Sequence, residues 1–156
     1  MNHKGFSLVE VTVCCAVMAT LVAVSYPSFT KMRESASFKK EVRELYANLR
    51  RAQVEAVKRN QCVVFTVTAK GYRIFVDDGA GGGIKKDWVR QDGEKILVDY
   101  RYGDGVEMVK TTFSANRGRF RPVTGVKAGR IRLEGPRDNL RDVVLNTAGR
   151  IRVARL

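Results

Sequence analysis

The sequence is poor in the residue types that build catalytic and metal sites. Its 156 residues include a single histidine, His3, and three cysteines that form no CxxC pair. There is no GxSxG motif, and the run GAGGG at residues 79–83 lacks the GKS/T ending and the following helix of a nucleotide-binding loop. Three cysteines also exclude a dense disulfide framework. We therefore expect a protein that is not an enzyme and that has neither a metal site nor a cofactor.

Charged residues are missing from a long stretch near the N-terminus. None occurs from Val11 to Thr30, and a helix of that length spans about 30 Å, the thickness of a bilayer's hydrocarbon core. Extending the apolar run back to Phe6 places Glu10 inside it. A carboxylate deep in a membrane costs roughly 2.5–3.5 kcal/mol on insertion scales, so such a residue usually faces a partner. The alternative is that Glu10 lies at the membrane interface and reaches water.

Two further interpretations of this segment compete. In a secretory signal peptide, Lys4 would belong to the basic start and residues 23–25 (AVS) would form the cleavage site. Glu10 argues against a signal peptide because it falls where the apolar region should begin. A plain transmembrane anchor would not explain why the helical pattern continues beyond Thr30.

An amphipathic pattern follows the apolar run, with only Pro27 between them. Its apolar residues recur every three or four positions, as one stripe on a helix of 3.6 residues per turn: Phe38, Val42, Leu45, Leu49, Ala52 and Ala56. Proline removes one backbone donor and kinks a helix, but membrane helices tolerate it. The two patterns together predict one helix from Phe6 to Arg59, about 80 Å long.

From Cys62 the apolar period changes from 3.6 to 2, which is typical of strands. The segments CVVFTVTA and YRIFVDD, joined around Lys70 and Gly71, predict a hairpin, and residues 77–88 predict a flexible loop. Further strands are predicted from KILVDY, VEMVKTTFS, GRIRLEG, DVVLNT and GRIRVARL. One long helix followed by short strands with no helix between them predicts an α+β protein, with a small antiparallel β-sandwich or curled sheet.

Two segments carry a family resemblance. GFSLVE, at residues 5–10, resembles the prepilin signature of type IV pilins and type II secretion pseudopilins, and Pro27 falls where these proteins usually have a helix-kinking proline. LRRAQVEAVKRNQCVVFTV, at residues 49–67, resembles the GspH/FimT subgroup, in which an Arg/Ala-rich helix end leads directly into the first strand. The resemblance covers residues 1–70 and, beyond them, the strand pattern and the C-terminal GRIR.

The resemblance implies that a prepilin peptidase cuts between Gly5 and Phe6 and that Phe6 is then N-methylated. In a filament, Glu10 is expected to meet the Phe6 amine of a neighbouring subunit, and a positive partner makes a carboxylate tolerable in lipid. Lys4 would keep the leader on the cytoplasmic side of the bacterial inner membrane. The rest of the chain would then lie in the periplasm or in an extracellular filament.

We therefore expect four segments: a leader at residues 1–5, a transmembrane helix at 6–30, its amphipathic continuation at 31–60, and a β-rich globular domain at 61–156. The function implied by the resemblance is that of a minor pseudopilin or pilin. Such a protein joins other pilin subunits in a type II secretion or type IV pilus filament, in its assembly or tip complex. A major filament subunit is a lesser alternative, because the sequence lacks the C-terminal disulfide loop common in major pilins.

Positive charge is concentrated at the C-terminus. The formal net charge is +13, and residues 117–156 contain eleven basic and three acidic residues. The phrase AGRIR occurs twice, and in a strand its two arginines share one face, which pairs Arg130 with Arg132 and Arg150 with Arg152. Residues 149–152 match a GRxR phrase found in some DNA-uptake members of the FimT-like group.

Three interpretations of these arginines stay open. The simplest is a pair of strands with apolar inward faces and solvated arginine faces. The second is a basic platform for nucleic-acid phosphates, so that DNA would be a partner. Only Phe120 interleaves with the basic residues, so base stacking is not supported. The third is a docking surface for an acidic subunit at the filament tip.

Overall fold

One long helix precedes nine short strands in the part of the chain that the computed structural model describes, residues 7–122 and 125–155. Helix α1 spans Leu8–Arg59 and does not end at Pro27. The strands are β1 Cys62–Thr68, β2 Gly71–Asp77, β3 Ile96–Arg101, β4 Glu107–Thr111, β5 Arg117–Arg121, β6 Gly125–Val126, β7 Gly129–Gly135, β8 Asn139–Leu145 and β9 Ile151–Arg155. Single turns of 3₁₀ helix, Ser114–Asn116 and Pro136–Asp138, precede β5 and β8. The predicted α+β class is confirmed.

The N-terminal part of α1 forms a unit of its own, which extends to Ala36. Its apolar side chains are exposed, for example Met18 at 68% and Val24 at 78%. An 18-residue window of α1 has a mean hydropathy of 2.2, so by length and composition this helix can cross a membrane. The Thr30 hydroxyl donates to the carbonyl oxygen of Pro27 at 3.0 Å, inside the helix.

The second unit, Ser37–Leu156, combines the C-terminal part of α1 with the strands. All six residues of the predicted apolar stripe are buried, none more than 4% exposed. They share one core with side chains such as Phe65 and Ile74 on one sheet and Ile131 and Leu145 on the other. Full burial of a leucine or phenylalanine side chain stabilises a fold by roughly 1.5–3 kcal/mol. Burial of this stripe therefore stabilises the packing of the C-terminal part of α1 on the strands.

The strands of the described residues form two antiparallel sheets. Sheet 1 has the order β3-β2-β1-β5-β6, and sheet 2 has the order β4-β7-β8-β9. The predicted hairpin is the β1–β2 pair, in which Thr68 pairs with Gly71, so the turn consists of Ala69 and Lys70. Two-residue loops are the commonest connection of β-hairpins.

The sequence pattern does not predict β5 or β6, and for β5 the reason lies in a neighbouring strand. Its sequence, RGRFR, has a glycine where an inward apolar residue is expected. Gly118 pairs with Phe65 on β1, and a Cβ on Gly118 would lie 2.1 Å from Cζ of that ring. Phe65 is fully buried and meets Phe113 edge-on, with 5.1 Å between ring centroids. The aromatic ring thus fills the place of the side chain that β5 lacks.

Gly118→Ala should lower the free energy of unfolding by about 1–3 kcal/mol, the usual effect of overpacking a core. Thermal unfolding of the full chain in a non-ionic detergent, followed by circular dichroism, measures the loss. Phe65→Leu removes the ring atoms that the new Cβ would meet. The double variant should therefore lose less stability than the sum of the two single variants, and strictly additive losses would contradict this packing.

Candidate functional site

The carboxylate of the apolar helix lies in the first turn of α1. The helix begins at Leu8, and the N–H of Val11 donates to the carbonyl oxygen of Ser7 at 3.2 Å. Glu10 is exposed, and a negative charge is favourable beside the free N–H groups of a helix start. Gly5 and Phe6, the predicted cleavage and methylation residues, lie outside the described residues. The roles of all three residues therefore stay predictions.

The register of sheet 2 places three of the four predicted arginines on one face. Arg130 on β7 and Arg152 on β9 both lie opposite Val144 of β8, and Arg132 lies opposite Asp142. Residues directly opposite each other in antiparallel strands project to the same side of a sheet. The shared face predicted for Arg130 and Arg132 is thus present, and it continues to Arg152.

Asp142 divides this face into two chemically different parts. Its carboxylate is only 2% exposed and accepts from Arg132 through Nε at 2.9 Å and Nη2 at 3.2 Å. Arg130 Nη1 lies 3.2 Å from the same carboxylate. The hydrogen bond to Asp142 raises the pKa of Arg132. Two arginines therefore share one buried carboxylate, which leaves less of their charge for an external phosphate.

The other arginine pair brackets the start of β9. The strand begins at Ile151, so Arg150 belongs to the preceding turn and not, as predicted, to the strand. Gly149 has a φ of +77°, a left-handed conformation that glycine adopts readily, and its N–H donates to Asn146 at 2.9 Å. Arg150 and Arg152 are both exposed, and within residues 7–122 and 125–155 neither forms an ion pair.

The turn that carries Arg150 packs against α1. Gly149 is buried, and a Cβ on it would lie 2.5 Å from Nε2 of Gln53. Arg50 Nη1 donates to Oε1 of the same glutamine at 3.3 Å. Gln53 therefore contacts both Arg50 of the helix and the turn that precedes Arg150. Sequence reasoning did not predict a role for Gln53 or Asp142. Asp142 begins the segment DVVL, and only the register of β7 against β8 shows that it lies opposite Arg132.

The three cysteines give no sign of a reactive or metal-binding site. Cys62 is buried, and burial raises the pKa of its thiol to about 11, so that it is protonated at neutral pH. Cys14 and Cys15 are free and exposed on the apolar part of α1. In the described part of the chain, no three His, Cys, Asp or Glu side chains are grouped so that they could hold a metal ion.

Comparison with solved structures identifies proteins of the same fold. The minor pseudopilin EpsH from the type 2 secretion system of Vibrio cholerae aligns with a TM-score of 0.56 at 12% identity, over 75% of this chain and 95% of that chain. The type IV minor pilin FimU of Pseudomonas aeruginosa aligns with a TM-score of 0.56 at 18% identity, over 81% of this chain and 92% of that chain. No curated protein sequence matches significantly.

The family match is more specific than these structural similarities. A family model described as type II transport protein GspH matches residues 41–149, more than half of the chain. The match ends just before Arg150, so the exposed arginine pair lies beyond it. The family and its structural neighbours are pilins and pseudopilins and not enzymes, which confirms the predicted non-enzymatic class. The chain therefore belongs to the GspH family, with the fold of the minor pseudopilins and minor pilins.

Proposed function

We propose that this protein is a minor subunit of a type II secretion or type IV pilus filament, acting in its assembly or tip complex. The observation that supports the proposal is that one chain combines a GspH match at residues 41–149 with an apolar, exposed stretch of helix at residues 11–29. An exposed apolar segment of this length needs lipid around it, or helices of other subunits packed against it. A subunit that passes from membrane to filament uses both environments in turn.

The proposal includes processing of the N-terminus. A prepilin peptidase would remove residues 1–5, and the amine of Phe6 would then become methylated. The motif GFSLVE supports this step, because it supplies a small residue before the bond and a carboxylate one helical turn after it. The remaining chain would stay anchored in the inner membrane by α1, with the second unit on the periplasmic side.

A photo-reactive side chain at position 17 tests the filament function. Val17 is 53% exposed on the apolar part of α1. In a host that makes the whole machine, crosslinking in intact membranes should capture other pilin-like subunits, identified by mass spectrometry. A host that lacks the other subunits is the control. Capture of lipid or of unrelated membrane proteins only, in the complete host, would contradict the proposal.

DNA binding is the second candidate function. It is favoured by one specific observation: Arg150 and Arg152 are exposed and free of carboxylate partners in the described part of the chain. The turn before Arg150 also packs on Gln53, which binds Arg50 of α1. Neutralising phosphates releases counterions, so affinity from such a patch falls steeply with salt. Non-specific binding of this kind has a Kd of about 10⁻⁴ to 10⁻⁶ M at physiological salt.

Arg150→Gln with Arg152→Gln should weaken the binding of duplex DNA by the full chain in a non-ionic detergent. The result is measured by fluorescence anisotropy over a series of salt concentrations. The slope of log affinity against log salt is negative, and removing two phosphate contacts should make it less negative by about two. The arginines that Asp142 already holds should matter less, so Arg130→Gln should have a smaller effect than Arg150→Gln or Arg152→Gln alone.

The control pair must lie away from the turn. Arg50 is unsuitable because it contacts Gln53, and Arg73 is unsuitable because Asp99 already holds it in an ion pair at 2.7 Å. Lys39 and Arg43 are exposed, lie one turn apart on α1, carry the same charge and form no ion pair in the described part of the chain. If the C-terminal pair forms a site, its loss should weaken binding well beyond the loss of this helix pair. Equal losses would reduce the binding to diffuse electrostatics and remove DNA as a partner.

A further inference from the structure

A charged cavity lies beside the C-terminal end of α1, and none of its lining residues belongs to sheet 2. It has a volume of about 660 Å³ and is bounded by the start of β1, the end of β2, the following loop and β5. Ligand pockets in proteins usually measure about 300–1,000 Å³. Its ionisable lining residues, apart from Cys62, are four cations and two carboxylates: Lys85, Lys86, Arg119, Arg121, Asp77 and Asp78.

Both carboxylates are already engaged within the protein. Asp77 is 2% exposed and accepts from the backbone N–H groups of Lys86 at 2.5 Å and Trp88 at 3.2 Å. Asp78 accepts from the N–H of Ala80 at 3.1 Å and from Nε2 of Gln61 at 3.3 Å. Neither carboxylate therefore serves as the ion-pair partner of a cavity cation.

None of the four cations forms an ion pair within the residues that the structure describes. Arg119 is half-buried and stacks on the ring of Trp88, with 4.0 Å from its guanidinium carbon to the ring centroid. Four cations against two carboxylates leave the cavity with a formal net charge of +2. This excess of positive charge in one partly enclosed place is unfavourable by mutual repulsion, unless a further anion offsets it.

The loop that supplies two of these cations is held in a strained shape. Lys86 and Trp88 have φ values of +65° and +67°, which are uncommon for residues other than glycine. The buried Asp77 fixes both positions, and Glu94, 3% exposed, accepts two more backbone N–H groups of the loop at 3.2 and 2.9 Å. Strained backbone held by its surroundings is typical of functional sites.

We propose that this cavity is a docking pocket for an acidic segment of a partner protein, whose carboxylates pair with Lys85, Lys86, Arg119 and Arg121. The inference rests on the proposed function in one respect only, that the chain assembles with other subunits. The cavity admits a few side chains, whereas duplex DNA is a stiff rod with a persistence length of about 50 nm and presents its phosphates to outer surfaces. Arginine guanidinium groups match carboxylates in a bidentate geometry.

Trp88 offers a direct measurement, because it is the only tryptophan of the chain and it stacks on a pocket arginine. The probe is a short glutamate- and aspartate-rich peptide with blocked ends, titrated into the full chain in a non-ionic detergent. The peptide should change the Trp88 fluorescence saturably and raise the unfolding temperature, since a ligand that binds only the folded state stabilises it. A glutamine- and asparagine-substituted peptide should do neither.

Lys85→Gln with Arg121→Gln keeps the stacking of Arg119 on Trp88 and removes two pocket charges. It should weaken the peptide affinity by roughly tenfold or more, as expected for lost charge-assisted hydrogen bonds. Lys39→Gln with Arg43→Gln removes one lysine and one arginine that are likewise exposed and without an ion pair in the described residues, and it should leave the affinity near that of the wild type. Equal weakening by both pairs, or no binding of the acidic peptide, would overturn the pocket.

Two competitors decide the class of ligand. If inorganic phosphate or a short DNA duplex displaces the peptide at lower concentration than a second acidic peptide does, a protein segment is the wrong occupant. Crosslinking from position 17 tests the filament function independently of the pocket. Peptide binding without such crosslinks would refute the filament function and keep the pocket, whereas crosslinks without peptide binding would refute the pocket alone.

Discussion

Glu10→Ala should abolish most of the crosslinking from position 17 to other pilin subunits, while the protein stays in the membrane fraction. Anchoring should not suffer, because the substitution removes a carboxylate whose insertion costs roughly 2.5–3.5 kcal/mol. What disappears is the ion pair that we propose between Glu10 and the Phe6 amine of a neighbouring subunit. In a medium of low dielectric constant this pair would favour one axial register over others.

Charge and shape can be separated at the same position. Glu10→Gln keeps the size of the side chain and should show the same defect, whereas Glu10→Asp should retain part of the crosslinking. Thr12→Ala is a matched control, since the Thr12 hydroxyl donates to the carbonyl oxygen of Val9 in its own helix, at 2.8 Å. Normal crosslinking by the glutamine variant would show that the charge of Glu10 has no part in assembly.

Gly5→Val should leave residues 1–5 on the protein, because the peptidase needs a small residue before the bond that it cuts. Mass spectrometry of the membrane-extracted chain gives the result directly. The wild type should begin at a methylated Phe6 in a host that has the peptidase. Ser7→Ala, just beyond the bond, should be processed normally. A mature N-terminus at Tyr26, or an uncut wild type in such a host, would refute prepilin processing and favour an ordinary signal peptide or anchor.

The two predictions are linked. The amine that Glu10 is proposed to meet exists at Phe6 only after the leader has been removed. Gly5→Val should therefore reproduce the loss of crosslinking seen with Glu10→Ala, although Glu10 is intact. Full crosslinking by an uncut Gly5→Val chain would separate assembly from processing and contradict the proposed ion pair.

The arginines show where sequence reasoning succeeded and where it did not. Alternation along a strand correctly predicted that Arg130 and Arg132 share a face, because side chains alternate every second residue. It could not foresee that Asp142 ties both of them down, since that contact depends on the register of β7 against β8. The turn at Gly149 moved Arg150 out of the strand that the repeated phrase had suggested.

Strand β5 shows the opposite failure. RGRFR lacks a strand pattern, because such a pattern needs an apolar residue where Gly118 stands. The missing side chain is supplied by Phe65 from the neighbouring strand, which no local pattern can indicate. Arg119 and Arg121 lie on β5 and line the cavity. Because the sequence pattern does not predict β5, it could not predict the cavity either.

The sequence by itself determined the features that depend on local periodicity. These are the apolar helix with Glu10 in its first turn, the stripe from Phe38 to Ala56 that builds one wall of the core, and the α+β class. Only the tertiary structure decided which charged side chains form ion pairs within the protein and which stay available to bind a partner. Asp142 binds both arginines of one pair and offsets part of their charge, and the loop after β2 brings Lys85 and Lys86 to Arg119 and Arg121. Such meetings join residues far apart in sequence, and they follow from strand register and core packing, which no short segment encodes.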